Sequence, residues 1–245
     1  MTTLRQFDAS ASEAGSQSVM LKAVFYVALP TIAFVLLFWT AFTHLDFYHA
    51  SLERETGWLE ISHIILPLIA AGMALRLVLK FRKDRQWTLM AIAGLAVLAG
   101  LFIAGEEASY GQHFFKWKAT GVFEELNDQQ ETNLHNIGTW FDQKPRALLE
   151  VITILAGLVV PFMQERVRGW LPRVFKPFVT GFWFMPIAIL IQLSEVPKRL
   201  GLMAAGYFPA VRYSEIQECF LYYFLILALW HVAERYRLAR AAGEL

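Results

Sequence analysis

The chain has 245 residues, of which 56% are hydrophobic and only 18% are charged. A soluble domain carries about 25% charged residues, so this composition favours lipid as the solvent for much of the chain. The formal net charge of +1 gives no reason to expect nucleic acid as a partner. The single cysteine cannot form an internal disulfide, and so it indicates no redox compartment.

Six apolar segments are long enough to cross a hydrocarbon core, which takes about 17–25 helical residues. They lie near 24–42, 58–79, 87–105, 148–163, 178–194 and 216–233. The sequence therefore predicts an all-α, polytopic helical membrane protein with about six transmembrane helices. We expect a single membrane domain over 21–238, between a polar tail at 1–20 and a second tail at 239–245.

Lysine and arginine predict the orientation, because they favour the cytoplasmic side. Segments 1–22, 80–85, 165–176 and 235–245 hold 13 of these residues, whereas the intervening segments 45–56, 106–147 and 195–214 hold 8. Both termini are therefore expected in the cytoplasm. In contrast, 15 of the 21 acidic residues and five of the six histidines fall on the outer side, where we expect any chemistry.

The outer segment 106–147 is too long for a simple turn, and loops above about 12–15 residues are usually functional or disordered. Apolar residues recur within it at roughly helical spacing with polar residues between them: Val122 or Phe123, Leu126, Leu134, Ile137 and Phe141. This pattern predicts an amphipathic helix that lies on the outer membrane surface.

Acidic and histidine residues recur three or four positions apart, which places them on one face of a helix. Glu60 and His63 in "LEISH" sit inside the second apolar segment, and Glu131 and His135 occur in "ETNLHN". Asp46 with His49 and Glu215 with Glu218 form further pairs of this kind. If the third span continues as helix beyond Gly105, then Glu106, Ser109, Tyr110 and His113 share one stripe.

A Glu-x-x-His pair is a familiar ligand set in carboxylate-bridged metal bundles, and imidazole with carboxylate suits zinc, iron or manganese. We therefore expect a divalent metal, with the ligands taken from Glu60, His63, Glu106, His113 and His135. The candidate catalytic residues are Glu107, Glu131 and Ser109. The same residues also have structural interpretations. Glu107 could cap the end of a span at the headgroups, and Glu60 and His63 could form an interhelical hydrogen bond. Glu131 and His135 could lie on the polar side of the surface helix.

The string "GEEASYGQ", followed by "NDQQETNLHN", resembles a pattern of uncharacterised bacterial multi-pass membrane proteins. In that pattern a Glu-Glu-x-Ser-x-Gly-Gln stretch precedes an acidic Asn-Leu-His-Asn stretch, and no established activity is attached to it. The resemblance covers 105–136 and implies a bacterial inner-membrane protein in which these residues act as a unit: Glu106, Glu107, Ser109, Gln112, Glu131, Asn133, His135 and Asn136.

A more distant analogy is to membrane hydrolases of the alkaline ceramidase type, which hold zinc among their spans with Ser, Asp and His ligands. The present chain departs from that pattern, because its last span has no His-x-x-x-His pair and glutamates stand where aspartate and histidine would be expected. This analogy therefore concerns only the kind of chemistry that the chain could perform.

These observations favour a membrane enzyme with a metal-dependent outer-leaflet Glu/His site that hydrolyses or transfers a group on a lipid or lipid-linked substrate. Two other classes fit the same residues. A proton- or cation-coupled transporter would use the carboxylates to bind and release its ion. A non-catalytic subunit of a membrane complex would use 106–147 as a docking surface.

Overall fold

The computed structural model describes residues 18–54, 57–121, 124–125, 132–133 and 139–243, except for the side chains of 113 and 139–143. This part of the chain is helical and contains no strand. Many large apolar side chains remain exposed on the helices, among them Leu36, Trp39, Leu95 and Leu98. Such surfaces are unfavourable in water, and they suit helices whose outer faces meet lipid.

Six helices of the described chain are long and apolar enough to cross a membrane, which confirms the predicted all-α polytopic class. We number them spans 1 to 6: Ser18–Thr43, Trp58–Lys83, Trp87–Glu107, Lys144–Trp170, Arg173–Arg199 and Tyr213–Ala241. Each overlaps one apolar segment expected from the sequence and extends beyond it. In every span the extension includes charged residues, such as Lys22 in span 1 and Glu107 in span 3, which lower the local hydropathy although the helix continues.

Several spans are interrupted helices. Span 1 contains a π-helical stretch, Ala23–Ala28, before the α-helix Leu29–Thr43, and span 4 joins Thr139–Ile154 to Val160–Trp170 through the π-helical stretch Leu155–Val159. Span 5 opens with 3₁₀ turns Arg173–Phe178 and Phe182–Phe184 before the α-helix Met185–Arg199. Two shorter helices, Leu45–Ser51 and Gln112–Phe115, follow spans 1 and 3.

Span 2 packs against both span 3 and span 6, and small residues make the first of these contacts close. A Cβ atom placed on Gly100 of span 3 would lie 2.8 Å from the carbonyl oxygen of Pro67 in span 2. Ala71 of span 2 stands at the same crossing. Small residues at such crossings let two helix backbones approach closely in a membrane.

Span 6 packs against span 5 through large apolar side chains. Ile187 and Ile191 of span 5 and Ile216, Phe220 and Phe224 of span 6 are all buried in one core cluster. Span 1 joins this cluster, and the Tyr26 hydroxyl of that span donates a hydrogen bond to the carbonyl of Leu227 in span 6. Span 6 is therefore held on two sides, by span 5 and by span 2.

The turn between spans 2 and 3 is fastened to span 6 at one end of the bundle. Asp84 in this turn contacts the guanidinium of Arg240 and accepts a 2.9 Å hydrogen bond from the Tyr236 hydroxyl. Lys80 lies 3.5 Å from the same carboxylate. We call this the Asp84 end and the opposite end, where spans 2, 3 and 6 carry most of their carboxylates, the His63 end.

The chain turns sharply where span 3 ends, so the helix does not continue far enough to form the stripe considered from the sequence. The α-helix ends at Glu107, and Ser109, Tyr110 and Gly111 all have positive φ angles. A right-handed helix cannot continue through left-handed residues. The predicted stripe of Glu106, Ser109, Tyr110 and His113 therefore does not form.

The surface helix predicted within 106–147 falls largely on residues that the structure does not describe. Phe141 is described only in its backbone, and the other apolar positions of the pattern lie outside the described residues: Val122 or Phe123, Leu126, Leu134 and Ile137. This prediction accordingly stays a prediction.

Candidate functional site

The site begins on the first turns of span 2, where Glu60 and His63 lie one turn apart. Gly57 precedes this helix in an extended conformation, and the chain becomes helical at Trp58. His63 is fully buried although it lies in the second turn of the helix, because spans 3 and 6 cover it. Glu60 is one turn nearer the end of the bundle and is partly exposed.

Span 6 faces this pair with three polar residues on one side of its helix. Glu215, Glu218 and Tyr222 are separated by three and four positions, so all three lie on one stripe. The Tyr222 ring packs edge-on against the His63 ring, with the centroids 5.7 Å apart. The stripe therefore meets His63 along two turns of span 6.

Span 3 contributes its last helical residue, Glu107. Gly100 precedes Glu107 by seven residues, or about two helical turns, so the close crossing at Gly100 and the Glu107 side chain lie on the same face. The Tyr222 hydroxyl donates a 2.8 Å hydrogen bond to Oε1 of Glu107. The other carboxylate oxygen, Oε2, is thereby directed towards His63, with Nδ1 at 3.7 Å.

The two nitrogens of His63 have different surroundings. Nε2 lies 2.9 Å from the main-chain carbonyl oxygen of Glu215, and since a carbonyl only accepts, Nε2 carries the proton. Nδ1 makes no hydrogen bond within the described structure, although it lies 3.4 Å from Oε2 of Glu215 and 3.7 Å from Oε2 of Glu107. In the neutral ring a lone pair thus faces two carboxylate oxygens, and an intervening cation would relieve the repulsion.

Two arginines partly balance the four carboxylates. Arg212 contacts Glu60 at 3.5 Å and Glu215 at 3.1 Å, and Arg146 of span 4 lies 2.7 Å from Glu218. Among the described residues, these four carboxylates and two guanidinium groups sum to a formal charge of −2 when His63 is neutral. In a largely apolar bundle such a charge requires compensation, either by protons or by one divalent cation.

The donor atoms lie close enough together to hold a metal ion. Among the residues that the structure describes, two groups have all their ligand atoms within 4.8 Å of one another: Glu60, His63 and Glu215, and His63, Glu107 and Glu218. Metal bonds of about 2.0–2.2 Å in tetrahedral geometry place two ligand atoms about 3.4 Å apart, which matches the spacing between His63 Nδ1 and Glu215. We call Glu60, His63, Glu107, Glu215 and Glu218 the His63 cluster.

The remaining candidate residues lie elsewhere or outside the described structure. Glu106, the neighbour of Glu107, is buried against Tyr110 and does not share in either of these ligand groups. Burial and a hydrogen bond to Glu106 raise the pKa of the Tyr110 hydroxyl to about 12. Glu131 and His135, and the side chain of His113, lie outside the described residues, so their predicted roles stay predictions.

Ser109 is fully buried in a second polar contact next to the cluster. Its hydroxyl accepts a 2.9 Å hydrogen bond from the Asn133 side chain, and its carbonyl accepts one from the Thr132 hydroxyl. Gln112 accepts 2.6 Å and 2.9 Å hydrogen bonds from the main chain and side chain of Thr132. The two stretches that carry the sequence resemblance are therefore in contact in the structure.

Arginine and tyrosine partners of the cluster were not predicted from the sequence. Tyr222 lies seven residues after Glu215, and this spacing alone signals a shared face. Arg212 immediately precedes span 6 and also contacts Glu53, which lies 2.6 Å from His49. Arg146 pairs with Glu218, which is 72 residues further along the chain, so no local sequence pattern predicts this contact.

Protein-family models, curated proteins and solved structures were compared with the chain, and none of them gave a match.

Proposed function

We propose that the protein is an integral membrane enzyme that binds a divalent metal ion in the His63 cluster and hydrolyses or transfers a group on a lipid-linked substrate. The observation that carries this proposal is the His63 ring itself. Its Nε2 is fixed by the Glu215 carbonyl, and its buried, unbonded Nδ1 faces the carboxylates of Glu215 and Glu107. A histidine oriented by a backbone carbonyl is the usual arrangement of a metal-binding imidazole.

The charge of the cluster supports a divalent cation. The formal charge of −2 left after pairing with Arg146 and Arg212 equals the charge that one such ion neutralises. Carboxylate and imidazole ligands suit zinc, iron or manganese. A bound ion of this kind lowers the pKa of a water ligand and polarises a carbonyl or phosphoryl oxygen.

Glu107 is the best-placed general base. The Tyr222 hydroxyl holds one of its oxygens, which leaves the other free to accept a proton from water near His63. The proton taken from water would then pass to the departing oxygen of the substrate. Arg212, which already contacts two cluster carboxylates, would hold Glu60 and Glu215 in place during this exchange.

The position of the cluster favours a substrate that comes from the bilayer. Exposed aromatic side chains surround the His63 end, with Trp58 at the start of span 2 and Phe114, Phe115 and Trp117 after span 3. Such residues concentrate at the level of the lipid headgroups. Glu60 and Glu107 stand within a few residues of them, so the cluster lies at headgroup depth and is reached laterally.

A turnover assay in vesicles tests this proposal. Metal-loaded protein is reconstituted into vesicles of phosphatidylethanolamine, phosphatidylglycerol and cardiolipin, and the lipid products are measured by mass spectrometry with and without a chelator. We expect a chelator-sensitive product whose rate falls by at least about 100-fold in Glu107→Gln. The control Glu125→Gln, at an exposed position, is expected to keep the wild-type rate.

Two outcomes would overturn the enzyme proposal. One is the absence of any lipid product from monodisperse, metal-loaded protein. The other is a proton or cation flux across the same vesicles that Glu107→Gln abolishes while no lipid is altered, since this would assign the carboxylates to transport.

A further inference from the structure

A polar pocket lies beside the His63 cluster, between spans 4, 5 and 6. Its volume is about 200 Å³, and its walls are formed by Arg146, Ala147, Glu150, Glu195, Arg199 and Gln217. Sites for drug-sized ligands have volumes of about 300–1,000 Å³, so this pocket fits a small chemical group better than a whole lipid. No aromatic residue stands among these lining residues of the described chain.

Within the described structure, not every charged group that lines the pocket has a partner of opposite charge. Arg199 lies 2.5 Å from the Glu150 carboxylate, and Arg146 lies 2.7 Å from Glu218. Glu195 is only 6% exposed, yet it makes no hydrogen bond or ion pair with any residue that the structure describes. The pocket therefore contains one buried carboxylate whose charge is not matched.

An unmatched buried carboxylate favours a cationic ligand. Arg199 lies one turn beyond Glu195 on the same helix, but its guanidinium group forms an ion pair with Glu150. The Gln217 amide donates to the Ile191 carbonyl, which leaves its oxygen as a second acceptor. Two acceptors suit the hydrogen-bond donors of a primary ammonium group, whereas a metal ion takes about four or more ligands.

The pocket and the His63 cluster are neighbours that share a residue. Arg146 lines the pocket and pairs with Glu218 of the cluster, and Gln217 of the pocket is the residue before Glu218. A molecule whose ammonium group lies at Glu195 would therefore extend its next group towards Arg146. The guanidinium groups of Arg146 and Arg199 are suited to a phosphate at that position.

We propose that this pocket binds the head group of an aminoalkyl phospholipid, with its primary ammonium group on Glu195 and its phosphate towards Arg146. This proposal rests on the proposed function, because it assigns the pocket to the substrate of the adjacent His63 cluster. The head group is a primary amine and not a trimethylammonium group, since the lining residues provide hydrogen-bond acceptors and no aromatic ring for a cation–π contact.

Calorimetric titration of the detergent-purified protein tests this assignment. The probes are dihexanoyl phosphatidylethanolamine, the matching phosphatidylcholine and phosphatidylglycerol, and free phosphoethanolamine. We expect the ethanolamine lipid to bind at least about tenfold more tightly than the other two lipids and the free head group. Glu195→Gln should abolish this preference, and Glu165→Gln, whose side chain is 85% exposed, should retain it.

A second variant keeps the proposal testable if Glu195→Gln does not fold. Ala147 lines the pocket at an exposed position, so Ala147→Lys would introduce a competing ammonium group without disturbing the interior. It too should abolish the preference. Equal binding of the three lipids by the wild type, or a preference that persists in both variants, would overturn the proposal. Free phosphoethanolamine that binds as tightly as the lipid would overturn the assignment to a phospholipid.

Metal analysis of the same preparations separates this proposal from the proposed function. A lipid preference that depends on Glu195, in a protein that takes up no divalent metal, would leave the pocket in place and refute the metalloenzyme. Metal that is lost in His63→Ala, together with no lipid preference, would refute the pocket and leave the metalloenzyme in place.

Discussion

Glu215 contacts both nitrogens of the His63 ring, the Nε2 through its main-chain carbonyl at 2.9 Å and the Nδ1 through its carboxylate at 3.4 Å. Glu215 lies in the first turn of span 6. Its main-chain carbonyl fixes the orientation of the His63 ring, and its carboxylate lies next to Nδ1. Because His63 belongs to span 2, the contact also fixes the register between the two spans. The proposed metal binding would therefore be coupled to helix packing at this point.

The hydrogen bond from Tyr222 to Glu107 gives a direct test of that coupling. We expect Tyr222→Phe to weaken divalent metal binding by about 10–100-fold, because Tyr222 holds the Glu107 carboxylate beside His63, and hydrogen-bonded groups around metal ligands contribute this much affinity. The neighbouring hydroxyl of Tyr223 donates instead to the Phe25 carbonyl at 2.7 Å. Tyr223→Phe is the matched control, with metal affinity expected to be unchanged in a competition titration. Equal effects of the two changes would count against the geometry described for Glu107.

The close crossing at Gly100 should matter for the site although it touches no ligand. Gly100→Val would collide with Pro67 and Ala71 and force spans 2 and 3 apart, at a cost of about 1–3 kcal/mol in the free energy of unfolding. Because Glu107 lies two turns further along the same face, metal affinity should fall as well.

Gly94 of the same span provides the control for this substitution, since a Cβ atom there meets nothing within 4 Å. Thermal unfolding and metal titration of Gly94→Val should both resemble the wild type. A Gly100→Val protein that unfolds early but binds metal normally would show that the crossing does not position Glu107.

Ser109 distinguishes a catalytic role from a structural one. The serine is fully buried and its hydroxyl accepts a hydrogen bond from Asn133, so we expect Ser109→Ala to reduce stability by about 1 kcal/mol. Turnover should fall by less than about tenfold. Loss of a true serine nucleophile costs about 10⁶-fold in a serine protease, and a decrease approaching that size would indicate a catalytic role for Ser109.

The Asp84 end should stabilise the protein in a pH-dependent way. A hydrogen bond from Arg240 lowers the pKa of Asp84 from 3.8 to about 2, so this contribution to stability is fully present above about pH 4. It is lost as the pH falls through about 2, where the folded carboxylate becomes protonated. Asp84→Asn should therefore lower the unfolding temperature at pH 7 but not near pH 2. The exposed Asp46→Asn serves as the control, and a pH-independent effect of Asp84→Asn would contradict the argument.

Local sequence patterns identified the spans and part of the site. Glu60 and His63 are recognisable because two polar residues one turn apart inside an apolar helix require partners. Glu215 and Glu218 are a pair of the same kind at the start of span 6. Which of Glu106 and Glu107 faces His63 depends on the rotation of span 3, and that rotation is set by the crossing at Gly100.

Contacts between spans that are far apart in the sequence could not be predicted from local patterns. The approach of Arg146 to Glu218 and of Tyr222 to Glu107 depends on which helices are neighbours, and a single sequence does not encode this locally. The sharp turn after span 3 was not predicted either. Ser109 and Tyr110 adopt left-handed conformations that are uncommon for these residue types, so neither residue signals the break.

The metal content of the purified protein tests the central claim most directly. Protein loaded in turn with zinc, manganese and iron(II) and then desalted in detergent is analysed by mass spectrometry, alongside His63→Ala and the exposed control His44→Ala. We expect about one equivalent of one of these metals in the wild type and in His44→Ala, and none in His63→Ala. A monodisperse wild-type protein that retains no metal, or a His63→Ala protein that retains as much as the wild type, would contradict the account.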